Sequence, residues 1–299
     1  MHITIVCIAI KYVPNGTKDT KMKTRIDYIV HIAVNGANPN GDPSNGNVPR
    51  ILDGSNLGMI TDVSLKHKMR MVVNAVEENK ELNDILILPS SVDDRSISAK
   101  LTALKFDIDA IKNKYFDVRT FGAVLIDSDN ASKISDVPTE TDSEITKGKK
   151  GKSEKKKAMS HVTGPVSVSN AFSLAPIDPH EIKITRCIDQ NEGNKTTFGN
   201  KHIVVNAVYK FTVTVNPRLT ANSGMRDQDI SILEYAVKNL FLVDASAARP
   251  AGSMSVQSVV KVEHNSIDGN INLKRISDMF DASGKYETNL DGITVSTLV

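Results

Sequence analysis

Residues Asn38 to Arg50 read Asn-Pro-Asn-Gly-Asp-Pro-Ser-Asn-Gly-Asn-Val-Pro-Arg, and neither a helix nor a central strand can pass through them. Three prolines fix φ and remove backbone donors, while the Gly and Asn residues supply positive φ. The product is a stiff, sharply turned loop. It follows a strand, since Ile26, Tyr28, Val30, Ile32 and Val34 alternate onto one face. It precedes a helix that starts near Thr61-Asp62, either of which can cap it. Leu65, Met69, Val72, Val73 and Val76 give that helix one apolar stripe. A rigid, amide-rich loop ending on Arg50 suits close backbone approach to a ligand with phosphates or bases. An ordered surface loop is the competing reading. A Ca²⁺ loop is not, because no Glu follows the Gly at the required distance.

Residues 83–114 read as a helical insertion, with a short apolar run from Ile85 to Leu88 and a helix around Ser98 to Phe106. Phe116 to Ile126 alternates and reads as a strand. Residues 131–160 start acidic, turn lysine-rich and show no apolar period, which predicts a disordered charged loop. Val166 to Phe172 and Ile182 to Ile188 read as strands. Ile203, Val205, Ala207, Tyr209, Phe211, Val213 and Val215 then alternate through a long strand. Residues 182–205 therefore form a hairpin that leaves the sheet and exposes strand edges, which makes sense if it reaches a neighbour. Arg226 to Leu242 is a second amphipathic helix and Ser253 to Glu263 the last core strand. The fold class is α+β, with a βαββαβ order like that of ferredoxin-like and RNA-recognition (RRM-like) domains. The domains are an N-terminal extension over 1–24, a core over 25–265 and a C-terminal segment over 266–299. Met22 before the first strand marks a candidate start, and an extra edge strand is the plain alternative for the residues before it.

A formal charge of +2 does not by itself point to nucleic acid, so any such function rests on local patches. Two distant cysteines, Cys7 and Cys187, make neither a disulfide scaffold nor a zinc site and suit a cytoplasmic protein. Ile3 to Ile10 is too short for a membrane span and lacks the flanks of a signal peptide. No Ser-His-Asp order, HExxH motif, phosphate-binding Gly-Lys-Ser/Thr loop or Cys/His cluster is present. The expectation is a protein that is not an enzyme and holds no metal or cofactor.

Several blocks in order carry a resemblance. Asn38-Pro-Asn-Gly-Asp-Pro43, Asn47-Val-Pro-Arg50 and Ile60-Thr-Asp-Val-Ser-Leu-Lys-His-Lys-Met-Arg70 are followed by Thr120-Phe-Gly122 and Thr163-Gly-Pro-Val166. Then come Ile184-Thr-Arg186, Thr197-Phe-Gly-Asn-Lys-His-Ile-Val204 and Ser246-Ala-Ala-Arg249. From about Arg25 to His264 the chain resembles the Cas-seven (RAMP superfamily) backbone subunit of type I CRISPR Cascade complexes, of the I-C or I-B branch.

That resemblance implies a non-catalytic subunit, several copies of which assemble head to tail along one crRNA. The hairpin would act as a thumb that kinks the guide. Guide bases between kinks would stay free to pair with target DNA. Implied partners are the crRNA, copies of itself, other Cascade subunits, target DNA and a recruited helicase-nuclease, with no membrane. RNA would lie on an open sheet face, held by charge and shape, since aromatic stacking signatures are missing. Charge and block position nominate Asn38, Asn40 and Arg50 in the loop, and Lys66, Lys68 and Arg70 on the helix. Arg119 and Phe121 on the strand and Arg186, Lys201 and His202 on the hairpin complete the set. Lys66 and Arg70, one turn apart, are candidate phosphate contacts. The resemblance extends to type III backbone subunits that cut target RNA with a loop Asp and a metal. Asp42, then Asp53, would be the corresponding residues, although a turn-stabilising role suits Asp42 between Gly41 and Pro43.

Overall fold

The computed structural model describes residues 22–126, 159–185, 198–285 and 291–299. The N-terminal extension, nearly all of the charged loop, and the hairpin tip with Arg186 lie outside them. Among the described residues the main sheet is antiparallel and eight-stranded. Its path runs β12 (Ile293–Thr297), β11 (Met254–His264), β1 (Ile26–Ala37), β10 (Phe198–Val215), β8 (Ala171–Pro176) and β4 (Leu57–Ile60). β7 (Val166–Val168) and β9 (Pro179–Thr185) also pair with β10.

β1 is the centre of this sheet, paired with β10 from Ile26↔Val215 to Ala37↔Val204 and with β11 on its other side. Its expected face is realised: Tyr28, Val30, Ile32 and Val34 are fully buried. Two helices cover that face. In α1 (Asp62–Val76), Leu65, Met69, Val72 and Val73 are buried, while Val76 at the end of the stripe is 39% exposed. In α6 (Asp227–Lys238), which follows the short α5 (Pro217–Ser223), Leu233, Ala236 and Val237 are buried. Thr61 caps α1, accepting from the Ser64 N–H.

The second face is not open along β1, contrary to the expectation that RNA lies on it. Ile29, Val260 and Val262 pack beneath Ile276 of α7 (Leu273–Met279) and Phe280. Asp27 on the same face is buried, accepting from Arg25, Thr214 and His264. His31 bonds Ser258 through Nδ1 at 2.9 Å, and its buried Nε2 has no partner. The C-terminal segment thus caps part of the sheet, with β12 pairing β11 as an edge strand.

A second difference concerns Phe116 to Ile126. Phe116–Phe121 is a helical turn, α4, and only Gly122–Ile126 is a strand, β5. β5 pairs with β6 (Met159–Thr163) in a separate two-stranded sheet. With α2 (Ile97–Ala103) and α3 (Ile108–Lys114), this forms an insertion with its own core of Leu86, Leu101, Ile111, Tyr115 and Val118. The switch from α4 to β5 explains two glycines. Gly122 has φ +79°, and a Cβ on Gly164 would meet the Thr120 carbonyl oxygen and the Gly122 nitrogen at 2.3 Å.

Gly164→Ala therefore forces backbone apart and is expected to destabilise the chain by about 1–3 kcal/mol, read as a lower urea midpoint. Acid should act through His31. Burial holds its pKa down to about 4, with the Lys210 cation adding to the shift and Asp281 opposing it. Between pH 6.5 and 4 the unfolded chain binds more protons than the folded one. This component of stability is complete above pH 6.5 and is lost as pH falls toward 4. His31→Gln should flatten the pH dependence of the unfolding midpoint in that window.

Candidate nucleic-acid interface

Four features converge at the end of the sheet where β1 stops: the proline-rich loop, the loop after α6, the start of α1 and the free half of β10. The proline-rich loop is a small hairpin, β2 (Gly41–Asp42) with β3 (Val48–Pro49), turned by a 3₁₀ segment over Pro43–Asn45. Asp42 caps that segment, accepting from the Ser44 N–H at 3.0 Å. Gly46 and Asn47 take φ of 57° and 60°, as the sequence requires of this turn.

The loop's own amides hold it together. Asn38 is 6% exposed, and its Nδ2 donates to the Asn47 carbonyl at 2.6 Å. Its backbone N–H donates to Ala248 in the loop after α6. Asn40 Oδ1 accepts the N–H and hydroxyl of Thr61 at 3.0 and 3.1 Å, tying the loop to the start of α1. Both side chains shape the loop, while Asn38 Oδ1 is buried without a partner among the described residues. Arg50 keeps a partly exposed guanidinium, 3.7 Å from Asp42.

The cations nominated on α1 divide sharply. Lys66 is half-buried and pairs with Asp62 at 3.0 Å. Lys68 is 3% exposed and pairs with Asp244, which also holds Arg249 at 2.8 Å. Burial pushes the Lys68 ammonium down to about 8 against the opposing pull of Asp244. Arg70 is 8% exposed, bonds Asp117 at 2.9 Å and lies over the Phe121 ring. Arg119 is fully buried, donating twice to Asp229 at 2.8 Å, to the Leu82 carbonyl, and to Asn83. Lys68, Arg70 and Arg119 are thus internal counter-charges that no phosphate reaches in this conformation. Arg70 thus sits among the buried residues of α1 rather than on its solvent side. Phe121 is half-buried, edge-on to Phe116 at 6.5 Å.

The outer part of β10 pairs with β9, from Phe198↔Thr185 to Val204↔Pro179, and only Val204 of it also pairs with β1. This arm extends beyond the end of β1 and has two faces. Ile184, Ile182, Ile203 and Val205 share one face with Lys201, by the pairs Gly199↔Ile184, Lys201↔Ile182 and Ile203↔His180. Phe198, Asn200, Lys183 and His202 share the other. Lys201 and His202 therefore point to opposite sides and cannot serve one ligand surface together. Phe198 is 74% exposed, an aromatic residue in the Thr-Phe-Gly block that charge alone did not nominate. Among the described residues no group of three His, Cys, Asp or Glu is placed to hold a metal ion. No described helix is long and apolar enough to cross a membrane.

Residues 24–294 match the model of one family, described as CRISPR-associated protein Cas7. No curated protein matches the chain. Among solved structures, it is similar to a chain of a CRISPR RNA-guided surveillance complex in a pre-nicking state, at 14% identity and a TM-score of 0.49. That alignment covers 89% of this chain and 84% of the other. A second CRISPR RNA-guided surveillance complex gives 14% identity and 0.47, covering 90% and 77%. A type III-B Cmr-β complex bound to cognate target RNA gives 9% and 0.39, covering 79% and 60%.

The buried pairs predict a split between stability and ligand effects. Arg119→Ala leaves Asp229 charged and buried without its partner, and should destabilise the fold by about 3–5 kcal/mol in chemical denaturation. Lys183→Ala on the exposed arm should shift stability by no more than about 0.5 kcal/mol.

Proposed function

The chain belongs to the CRISPR-associated protein Cas7 family, and from that membership we propose that it is a crRNA-binding backbone subunit of a type I surveillance complex. The family match over residues 24–294 is the observation that carries this reading. The strand order β11-β1-β10-β8, with α1 and α6 on one face, supports a ferredoxin-like, RRM-like core. The β9–β10 arm supports the thumb: it leaves the sheet, and its Ile182, Ile184 and Val205 stand exposed among the described residues. Several copies assemble head to tail on one crRNA, joined by other Cascade subunits. The guide is presented for pairing with target DNA, after which a helicase-nuclease is recruited. The protein works in the cytoplasm.

RNA is gripped at the end of β1 rather than across the sheet face, because α7 and Phe280 cover that face beside β1. The proline-rich loop offers backbone and Arg50, and the arm offers Phe198, Lys183 and His202 on one side. A grip on phosphate and sugar leaves bases free and carries no sequence information. The protein does not cut RNA. Asp42 is committed to the Ser44 amide and lies near Arg50, which supports a structural role over a catalytic one.

Binding should therefore be nearly independent of spacer sequence and steeply salt-dependent. Replacing Arg50 and Lys183 together by Ala should make the slope of log K against log salt shallower by up to about 1.4, at about 0.7 per phosphate on single strands. An unchanged slope, with the melting temperature preserved, places the RNA elsewhere. Asp42→Ala should affect folding or RNA binding only. Metal-dependent cleavage of target RNA that this substitution abolishes would replace the present reading with a type III-like endoribonuclease.

A further inference from the structure

On the second face of the main sheet, the α7 cover lies over β1 and β11. It meets β10 through Lys210, whose ammonium donates to the Ser277 carbonyl at 3.1 Å. Beyond that cation, strand pairing lines up an apolar patch on the same face. Lys210 pairs with Phe172, and Phe172 with Met59. Paired positions share a face, so one row reads Ser258, His31, Lys210, Phe172, Met59 across five strands. The next row holds Ala33 and Val208, with Leu174 beside them by alternation along β8.

Met59, Phe172, Leu174 and Val208 join none of the apolar cores formed by the described residues. Leu174 is 49% exposed, and the other three are half-buried. An aromatic ring among aliphatic side chains on a sheet face marks a binding surface more strongly than scattered apolar residues do.

Two connections tie this patch to the groups that grip RNA in the reading above. The Met59 N–H donates to the Arg50 carbonyl at 2.9 Å, so the proline-rich loop borders the patch. β10 is one strand from Phe198 to Val215, and its registers with β9 and β1 are unbroken. Its even-numbered residues therefore face one way. Phe198, Asn200 and His202 on the arm continue through Asn206 and Val208 to Lys210 without changing side. Asn35 pairs with Asn206 where the arm joins the sheet. The positions around Phe172 on the sheet carry amides, a histidine and a lysine and no carboxylate, which suits a polyanion. Glu181, opposite His202, lies farther out on the arm.

We propose that this patch is a stacking platform for one unpaired base of the bound RNA, which lies on the Phe172 ring while the adjoining backbone follows β10 to the arm. The proposal rests on the RNA-binding reading above and adds a base site to its phosphate grip. Every base has a π-face, so a site of this kind tolerates any spacer sequence.

The chain contains no tryptophan, so Phe172→Trp introduces a single indole reporter at the platform. Saturating single-stranded RNA should quench its emission, and homopolymers of adenine and of uracil should both do so. RNA of the same length with abasic sugars should bind through its phosphates and leave the emission unchanged. Phe172→Leu keeps an apolar side chain and removes the ring. Its RNA affinity should fall about tenfold at every salt concentration, on the order of one base–aromatic stack. The slope of log K against log salt should stay at the wild-type value, because no phosphate contact is lost. Leu174→Asn, at a half-exposed position, should also weaken binding without changing the slope, and it serves where a change at Phe172 lowers the melting temperature. Equal quenching by abasic RNA, or none at saturation, overturns the proposal. So does wild-type RNA affinity in Phe172→Leu, the result expected of a patch that seats an apolar protein segment. Wild-type protein that binds no single-stranded RNA overturns the RNA-binding reading itself.

Discussion

The architecture depends on three ionic contacts that carry charge into the interior. Arg119–Asp229 joins the insertion to the first turn of α6, Arg70–Asp117 joins it to α1, and Lys68–Asp244 joins α1 to the loop behind Asn38. Taking a charge out of water is costly, and an apolar replacement often matches such a pair in stability. What these pairs impose is position. Arg119 meets Asp229 with two parallel bonds and uses Nη1 and Nη2 on Leu82 and Asn83, so only one placement of α4 satisfies the guanidinium. Asp117 in turn accepts from the Leu86 and Ile87 amides as well as from Arg70. The insertion is fixed to the two core helices by carboxylates rather than by its apolar core alone.

These same pairs explain where the sequence could and could not be read. β1, α1 and the lower half of β10 follow from periodicity because each buries one continuous face, and Tyr209, Phe211, Val213 and Val215 are buried as the alternation requires. Phe116–Phe121 was the misreading. Phe-Asp-Val-Arg-Thr-Phe alternates like a strand, and six residues are too few for a helical period to assert itself. The decision came from tertiary contacts: Asp117 and Arg119 are as buried as Phe116 and Val118, so the polar residues of the supposed strand were never facing water. The α7 cover over Ile29 was illegible for a related reason, since seven residues, Leu273–Met279, give little amphipathic signal.

The nominated cations could not be sorted by sequence for want of knowing their partners. Asp117 lies 47 residues from Arg70, and Asp229 lies 110 from Arg119, so nothing local distinguishes a structural arginine from one that waits for a phosphate. The short-range commitments were legible. Asp42 between Gly41 and Pro43 was read as a turn-stabilising side chain, and it caps Ser44. Asn38 and Asn40 lie in the rigid loop, where Asn38 Nδ2 holds the Asn47 carbonyl and Asn40 Oδ1 holds Thr61.

The arm carries two unlike surfaces in one two-stranded element, and its period of two residues binds them together. Alternate positions put Phe198, Lys183 and His202 on one side and Ile182, Ile184 and Ile203 on the other. A slip of β9 by one residue would turn every one of its side chains to the wrong partner. The register is held at its base, where Pro179 pairs with Val204, a residue buried against the core. Toward the tip, Gly199 lets the Ile184 side chain lie across it, since a Cβ there would touch Ile184 at 3.4 Å. The aliphatic face is thereby kept flat, and the surfaces on both sides of the arm become consequences of one strand pairing.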